Sequence, residues 1–189
     1  MERPRRRRGL ALGLAGLLLA SCASTPASVD GQGAMTPAQR EVIAKADAMS
    51  LVSTLNGKVP PGKATLVESS TMLLDTTHDG QQVRVYRDVR LAGTRAPIHV
   101  HPFGGWTCVV TGQAVLYMED AKPEVAHAGD CVDMPALRAM SNVNPGPGPT
   151  VLLDNFVTPK GAPVWRIVEK GDTDLGDEFA TGSKTKVNR

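Results

Sequence analysis

The chain has 189 residues and a mass of 20.0 kDa, with 41% hydrophobic, 21% charged and 4% aromatic residues. That is the make-up of one globular domain with extra segments, which excludes wholesale disorder, a collagen-like chain and a polytopic membrane protein. The net charge of +2 misleads: the first 22 residues hold five Arg and one Glu, leaving 16 basic against 18 acidic residues in the other 167. Such a body has no basic face for nucleic acid.

Arg3 and Arg5 to Arg8 precede an apolar run from Leu10 to Ala20, followed by Ser21 and Cys22. A charged start, a short apolar stretch and small residues before a cut make a secretory signal over residues 1–21. Eleven apolar residues are too few to span a bilayer as a stable helix, which needs about 20; an uncleaved anchor is the alternative. Leu19-Ala20-Ser21-Cys22 resembles a bacterial lipobox. That resemblance implies acylation of Cys22, which would become the mature N-terminus on a membrane of the cell envelope, facing the periplasm or the exterior. Cys108 and Cys131 then remain as an even pair in a disulfide-permissive compartment, either bridged or as two buried thiols.

Residues 22–35 are small and polar and read as a tether. A helix is expected over 36–57: Thr36 suits the N-cap, Pro37 the first turn and Gln39 a capping box. Val42, Ile43, Ala46, Met49 and Val52 recur at steps of three and four, and Asn56-Gly57 stops the run. From residue 64 the period changes to two. Strands are expected over 64–68, 70–75, 82–90, 97–101, 106–111, 113–119, 130–134, 139–143, 149–157 and 163–168, punctuated by Gly and Pro turns. Many short strands so spaced imply an all-β sandwich or barrel over 58–170. Residues 171–189 read as a loose, charged tail.

His99 and His101 lie two apart in an expected strand and so share a face, where two imidazoles can chelate one metal if that face is the interior. His78 and His127 sit in expected surface turns. Glu119 and Asp133 are carboxylates on expected strands, Asp133 on the inward side by strand count.

The stretch Gly93, His99, His101, Gly112 resembles the first motif of the cupin superfamily: Gly, five residues, His-x-His, three or four residues, Glu, six residues, Gly. Gly129, Pro135 and Asn144 match the second motif at the right offsets. The resemblance implies a single double-sheet jelly-roll barrel, with a metal held by the two His, the Glu and a further His. Here the Glu position is Gly105, the second-motif His is Met140, and that motif's Gly is Leu137. Two imidazoles and a thioether suit copper better than iron or manganese, which want a carboxylate. His99, His101 and Met140 are therefore the candidate ligands for one transition-metal ion, with Cu, Zn, Ni and Fe all open and Met140 alternatively a core filler. Phe103 and Trp106 follow the His pair and would line a small-molecule pocket, unless Trp106 plugs the barrel end.

Two functions follow. One is an envelope-tethered protein binding a small organic ligand in the barrel, with a degenerate metal site. The other is a metal-dependent enzyme of oxygenase or isomerase type, using His99, His101 and Met140 or water. A homodimer is open, since cupins often dimerise through sheet edges.

Overall fold

The computed structural model describes residues 34–171. The signal segment, Cys22, nearly all of the tether and nearly all of the C-terminal tail lie outside them. No helix among the described residues is long and apolar enough to cross a membrane.

Helix α1 (Pro37–Asp47) begins as its sequence dictates. The Thr36 hydroxyl accepts the Gln39 N–H at 3.2 Å, and Gln39 Oε1 accepts the Thr36 N–H at 2.7 Å. The helix stops ten residues short of the expected end at 57. Ser50, Val52, Ser53 and Thr54 are poor helix formers, and their segment has a better partner: the Val52 N–H donates to Val168 O at 2.7 Å, and Val52 O accepts the Lys170 N–H at 2.8 Å.

Twelve strands follow: β1 (Lys63–Ala64), β2 (Ser69–His78), β3 (Gln81–Arg90), β4 (Thr94–Arg95), β5 (His99–Val100), β6 (Gly105–Thr111), β7 (Gln113–Met118), β8 (Glu124–His127), β9 (Cys131–Met134), β10 (Met140–Val143), β11 (Thr150–Pro159) and β12 (Arg166–Ile167). They form two sheets, the double-sheet all-β arrangement expected, with the one N-terminal helix. The first runs β1-β4-β10-β5-β12, with β7 on the other side of β10 and β8 beyond it; the second runs β2-β3-β11-β6-β9. β4 and β5 are two pieces of one line against β10, interrupted at Pro97, which has no N–H to donate. β8 falls where the sequence suggested only a turn, so His127 ends a strand, although it is exposed.

The matched motif residues do structural work. Gly112 joins β6 to β7 at φ +84°, where a Cβ would meet Thr150 Oγ1 at 2.7 Å. The buried Asn144 amide donates to Arg90 O at 3.0 Å and to Gly148 O at 2.9 Å, tying two loops together. Leu137, at the family's Gly position, keeps the left-handed backbone with φ +58°.

The core is in two parts. Val109, Leu116, Met118, Met134, Met140, Leu152 and Phe156 pack between the sheets. Ile98 and Val100 point the other way from His99 and pack with Ala46, Leu55 and Val168 under α1.

β3 reverses the usual alternation. Its partners across the β3–β11 ladder show which face is which: Asp88 lies opposite the core residue Leu152, and Arg84 opposite Phe156. Directly opposed residues share a face, so Gln82, Arg84, Tyr86, Asp88 and Arg90 point inward. Val83, Val85 and Val89 point out.

Cys108 and Cys131 face each other across β6 and β9 and form a disulfide of sequence separation 23. Of the two expected states the bridge is the one present, on the outer side of the second sheet with Cys131 exposed. Asp133 is also exposed there, not inward, because its neighbours Val132 and Met134 take the core face.

Candidate functional site between the sheets

His99 and His101 are both buried, at 5% and 4% exposure. His99 Nδ1 lies 2.7 Å from Pro97 O, and His101 Nδ1 lies 2.7 Å from Val164 O. A carbonyl only accepts, so each Nδ1 carries the proton and each Nε2 presents a lone pair. Those two Nε2 atoms face one another at 3.2 Å. Burial, reinforced by His101, holds the His99 pKa down to about 3, and burial holds His101 down to about 4. Neither imidazole therefore supplies a second proton at neutral pH, and two lone pairs converge with no donor between them.

That is the geometry of a chelate. Two imidazole nitrogens on one zinc-like ion, at about 2.0–2.1 Å with a tetrahedral angle, stand about 3.3 Å apart. The carbonyl bonds at Nδ1 are the outer contacts that orient metal-binding histidines. The pair thus fits an ion.

The rest of the expected shell is only partly there. Met140 is fully buried and directly opposite His99 in the β5–β10 register, so both side chains share the inner face. It also lies opposite Met118 and belongs to the apolar cluster between the sheets. At Gly105 the Phe156 ring fills the space: a Cβ there would lie 2.7 Å from Phe156 Cδ1 and from Asn155 O. Phe156 in turn packs on His101, ring centroids 4.9 Å apart, and Trp165 meets the His99 ring edge-on at 5.0 Å. Among the described residues, no group of three or more His, Cys, Asp or Glu gathers around an ion.

Trp106 needs correction as a pocket residue. It points to the outer face of the second sheet, opposite Asn155 and Asp133, and is 43% exposed. The reason is parity: Gly105 and Thr107 take the inner face of β6. Phe103 is half-buried in the turn after His101. Glu119 is engaged elsewhere, its Oε2 accepting the Asn56 N–H at 2.8 Å. His78 is exposed beside Asp79.

Beside the His pair the sequence reading missed a polar wall. Asp88 and Asp154 are diagonal neighbours on the inner face of β3 and β11, and Thr107 lies opposite Asp154 on β6. Asp88 Oδ1, Asp154 Oδ1 and Thr107 Oγ1 are sealed from solvent without hydrogen-bond partners. Burial, then the Asp88 charge, pushes Asp154 up to about 8; burial raises Asp88 too. Two such carboxyls keep one proton between them at neutral pH. Arg90 faces both, and burial lowers its pKa to about 10. Its charge also acts on His99.

A second missed pair anchors the first histidine. Arg95 makes a two-pronged ion pair with Glu169, at 2.7 and 2.6 Å, and Glu169 Oε2 also accepts the Ile98 N–H at 2.6 Å. Burial alone would raise the Glu169 pKa, but Arg95 and the Ile98 N–H lower it. The strand piece carrying His99 is thereby fastened to the segment after β12.

No protein family and no curated relative matches the chain. Among solved structures it is similar to a conserved protein with a double-stranded β-helix domain from Klebsiella pneumoniae. The identity is 25%, with 64% of this chain and 92% of that chain covered and a TM-score of 0.42. It is similar to the DMSP lyase DddQ from Ruegeria pomeroyi at 19% identity, covering 76% of this chain and 75% of that one, TM-score 0.46. A third, from the DMSP lyases RdDddP and RnDddQII, is 19% identical with a TM-score of 0.44. Here 52% of this chain is covered, and it spans about half, 51%, of that chain.

Proposed function

We propose that this is an envelope-tethered cupin-type protein that binds a small organic ligand between its sheets, with a reduced metal site built on His99 and His101. The observation that carries the metal part is the facing Nε2 pair, 3.2 Å apart with both Nδ1 protons committed to carbonyls. Met140 is the candidate third donor, and a soft thioether beside two imidazoles favours copper over iron or manganese. The inward Arg84, Tyr86, Asp88 and Arg90 support a polar ligand, because they offer donors and acceptors that an apolar filler would leave unpaired. The tether rests on the lipobox resemblance at Cys22.

A metal-dependent enzyme is the second reading, favoured by the Asp88–Asp154 pair. A carboxyl poised near neutral pH is suited to proton transfer, and a bound ion would supply Lewis acidity.

Elemental analysis of the protein purified without chelator or histidine tag tests the site. About one equivalent of a transition metal, absent from His99→Ala, is expected. A protein that stays metal-free after incubation with Cu, Zn, Ni and Fe overturns the metal part and leaves ligand binding alone. Cell fractionation tests the tether: Cys22→Ser should leave the membrane fraction, and its retention there overturns lipid anchoring.

A further inference from the structure

The reversed alternation of β3 has a counterpart on the other side of the second sheet. Its outer face presents Val83, Val85 and Val89 from β3, Val151, Leu153 and Val157 from β11, and Trp106 and Val110 from β6. Leu74 of β2 joins them opposite Val85. Trp106, Val110, Val157 and Leu74 are 42–46% exposed. An antiparallel sheet with one wet face ordinarily turns polar side chains outward. Here the central strands turn their polar residues in and their valines out. A contiguous apolar face of this kind marks an interaction site.

Two charges border it. Arg87 of β3 and Asp133 of β9 are both exposed on this face, and neither makes an ion pair among the described residues. The registers locate them: Arg87 is level with Leu153, Cys108 and Cys131, and Asp133 is level with Trp106 and Asn155. They lie on strands at equal distances either side of the line between β11 and β6, and two residues apart along the strand direction, about 7 Å.

We propose that this face is the interface of a homodimer, covered by the same face of a second copy. A two-fold axis running along the strands between β11 and β6 lays β3 of one copy over β9 of the other. Each Arg87 then approaches the Asp133 of the other copy, and the two pairs form together, as an isologous contact requires. The charges at the border are complementary to the face itself, which selects a second copy over an unrelated apolar surface.

The size agrees. Five strands spaced about 4.8 Å apart, averaging about eight residues at about 3.4 Å each, cover roughly 24 Å by 28 Å. Two such faces bury about 1,300 Å², within the about 1,200–2,000 Å² of a stable interface. Trp106 and Leu153 stand near the middle, and the Arg and Asp form a polar rim.

Sedimentation velocity of the full chain across a wide range of concentration tests this. A reversible dimer is expected. Val157→Lys, which places a charge in the apolar face, and Arg87→Asp should each raise the dimer Kd by roughly tenfold or more. Arg87→Asp combined with Asp133→Arg should return it toward the wild-type value. Circular dichroism melts verify that each variant is folded. A folded wild-type monomer at every concentration overturns the proposal. So does a dimer indifferent to Val157→Lys and to both charge reversals, because it would use another surface.

Discussion

A Cβ added to Gly105 would lie 2.7 Å from Cδ1 of Phe156, so the inner-face space beside Gly105 is already taken by an aromatic ring. Both residues face the interior, and Phe156 continues onto the His101 ring. The missing carboxylate and the added aromatic are one change seen from two strands.

Gly105→Glu alone is therefore expected to destabilise the protein by about 1–3 kcal/mol, the usual cost of overpacking. Combined with Phe156→Ala, the same substitution has room and places a carboxylate on the face of the histidines. Thermal melts and metal titration check this: the double variant should bind Zn or Fe more tightly than wild type.

Met140→Leu conserves volume and should cost less than about 1.5 kcal/mol in a urea melt. If the thioether is a donor, copper affinity measured against a chromophoric chelator falls with it. Met140→His should shift preference from copper toward zinc. An unchanged copper affinity in the Leu variant makes Met140 a packing residue.

Asp154 gives a pH dependence of known sign. Its folded pKa, pushed up to about 8, exceeds the ordinary carboxylate value. The folded state therefore holds more protons than the unfolded one in between, and stability falls as pH rises toward 8. The buried histidines act oppositely, but only below their ordinary pKa of 6.5. Above pH 6.5 the window belongs to the carboxyl pair. The metal-free protein should lose melting temperature from pH 6.5 to 8, and Asp154→Asn should flatten that slope in calorimetry.

The disulfide closes a loop of sequence separation 23, for which chain-entropy reasoning gives about 3 kcal/mol. Replacing Cys108 and Cys131 together by Ser should lower the urea midpoint accordingly. Reductant should then move only the wild-type protein.

Glu169→Ala removes one partner of a buried ion pair and leaves Arg95 without its counter-charge. A loss of about 3–5 kcal/mol is expected in denaturant melts. Metal affinity should fall as well, since the Ile98 N–H beside His99 loses its acceptor.

The fold was largely legible because turn chemistry and period-two patterning are local signals. The helix start at Thr36 and the long strands β3, β6, β7 and β11 were readable for that reason. Where the helix ends was not, because Val52 answers to Val168, 116 residues away in the chain. β4 and β8 are too short or too exposed to carry a pattern. The His pair was visible from spacing, and Met140 from its motif position. The polar wall was hidden by a sound rule: valines alternating in β3 read as core, which turned Asp88 and Arg90 toward solvent on paper. Only the ladder to β11 reveals the reversal. The Arg95–Glu169 anchor is a long-range pair with no sequence mark.

The two Nδ1 bonds have a last consequence. Pro97 O and Val164 O belong to chain segments far apart in sequence, so anything gripped between the Nε2 atoms is tied to both at once. An ion that enters only the folded protein adds its binding free energy to the unfolding free energy, about 1.4 kcal/mol for each tenfold excess over its Kd. Heating the protein at graded ion concentrations is then a titration, and the barrel serves as its own indicator.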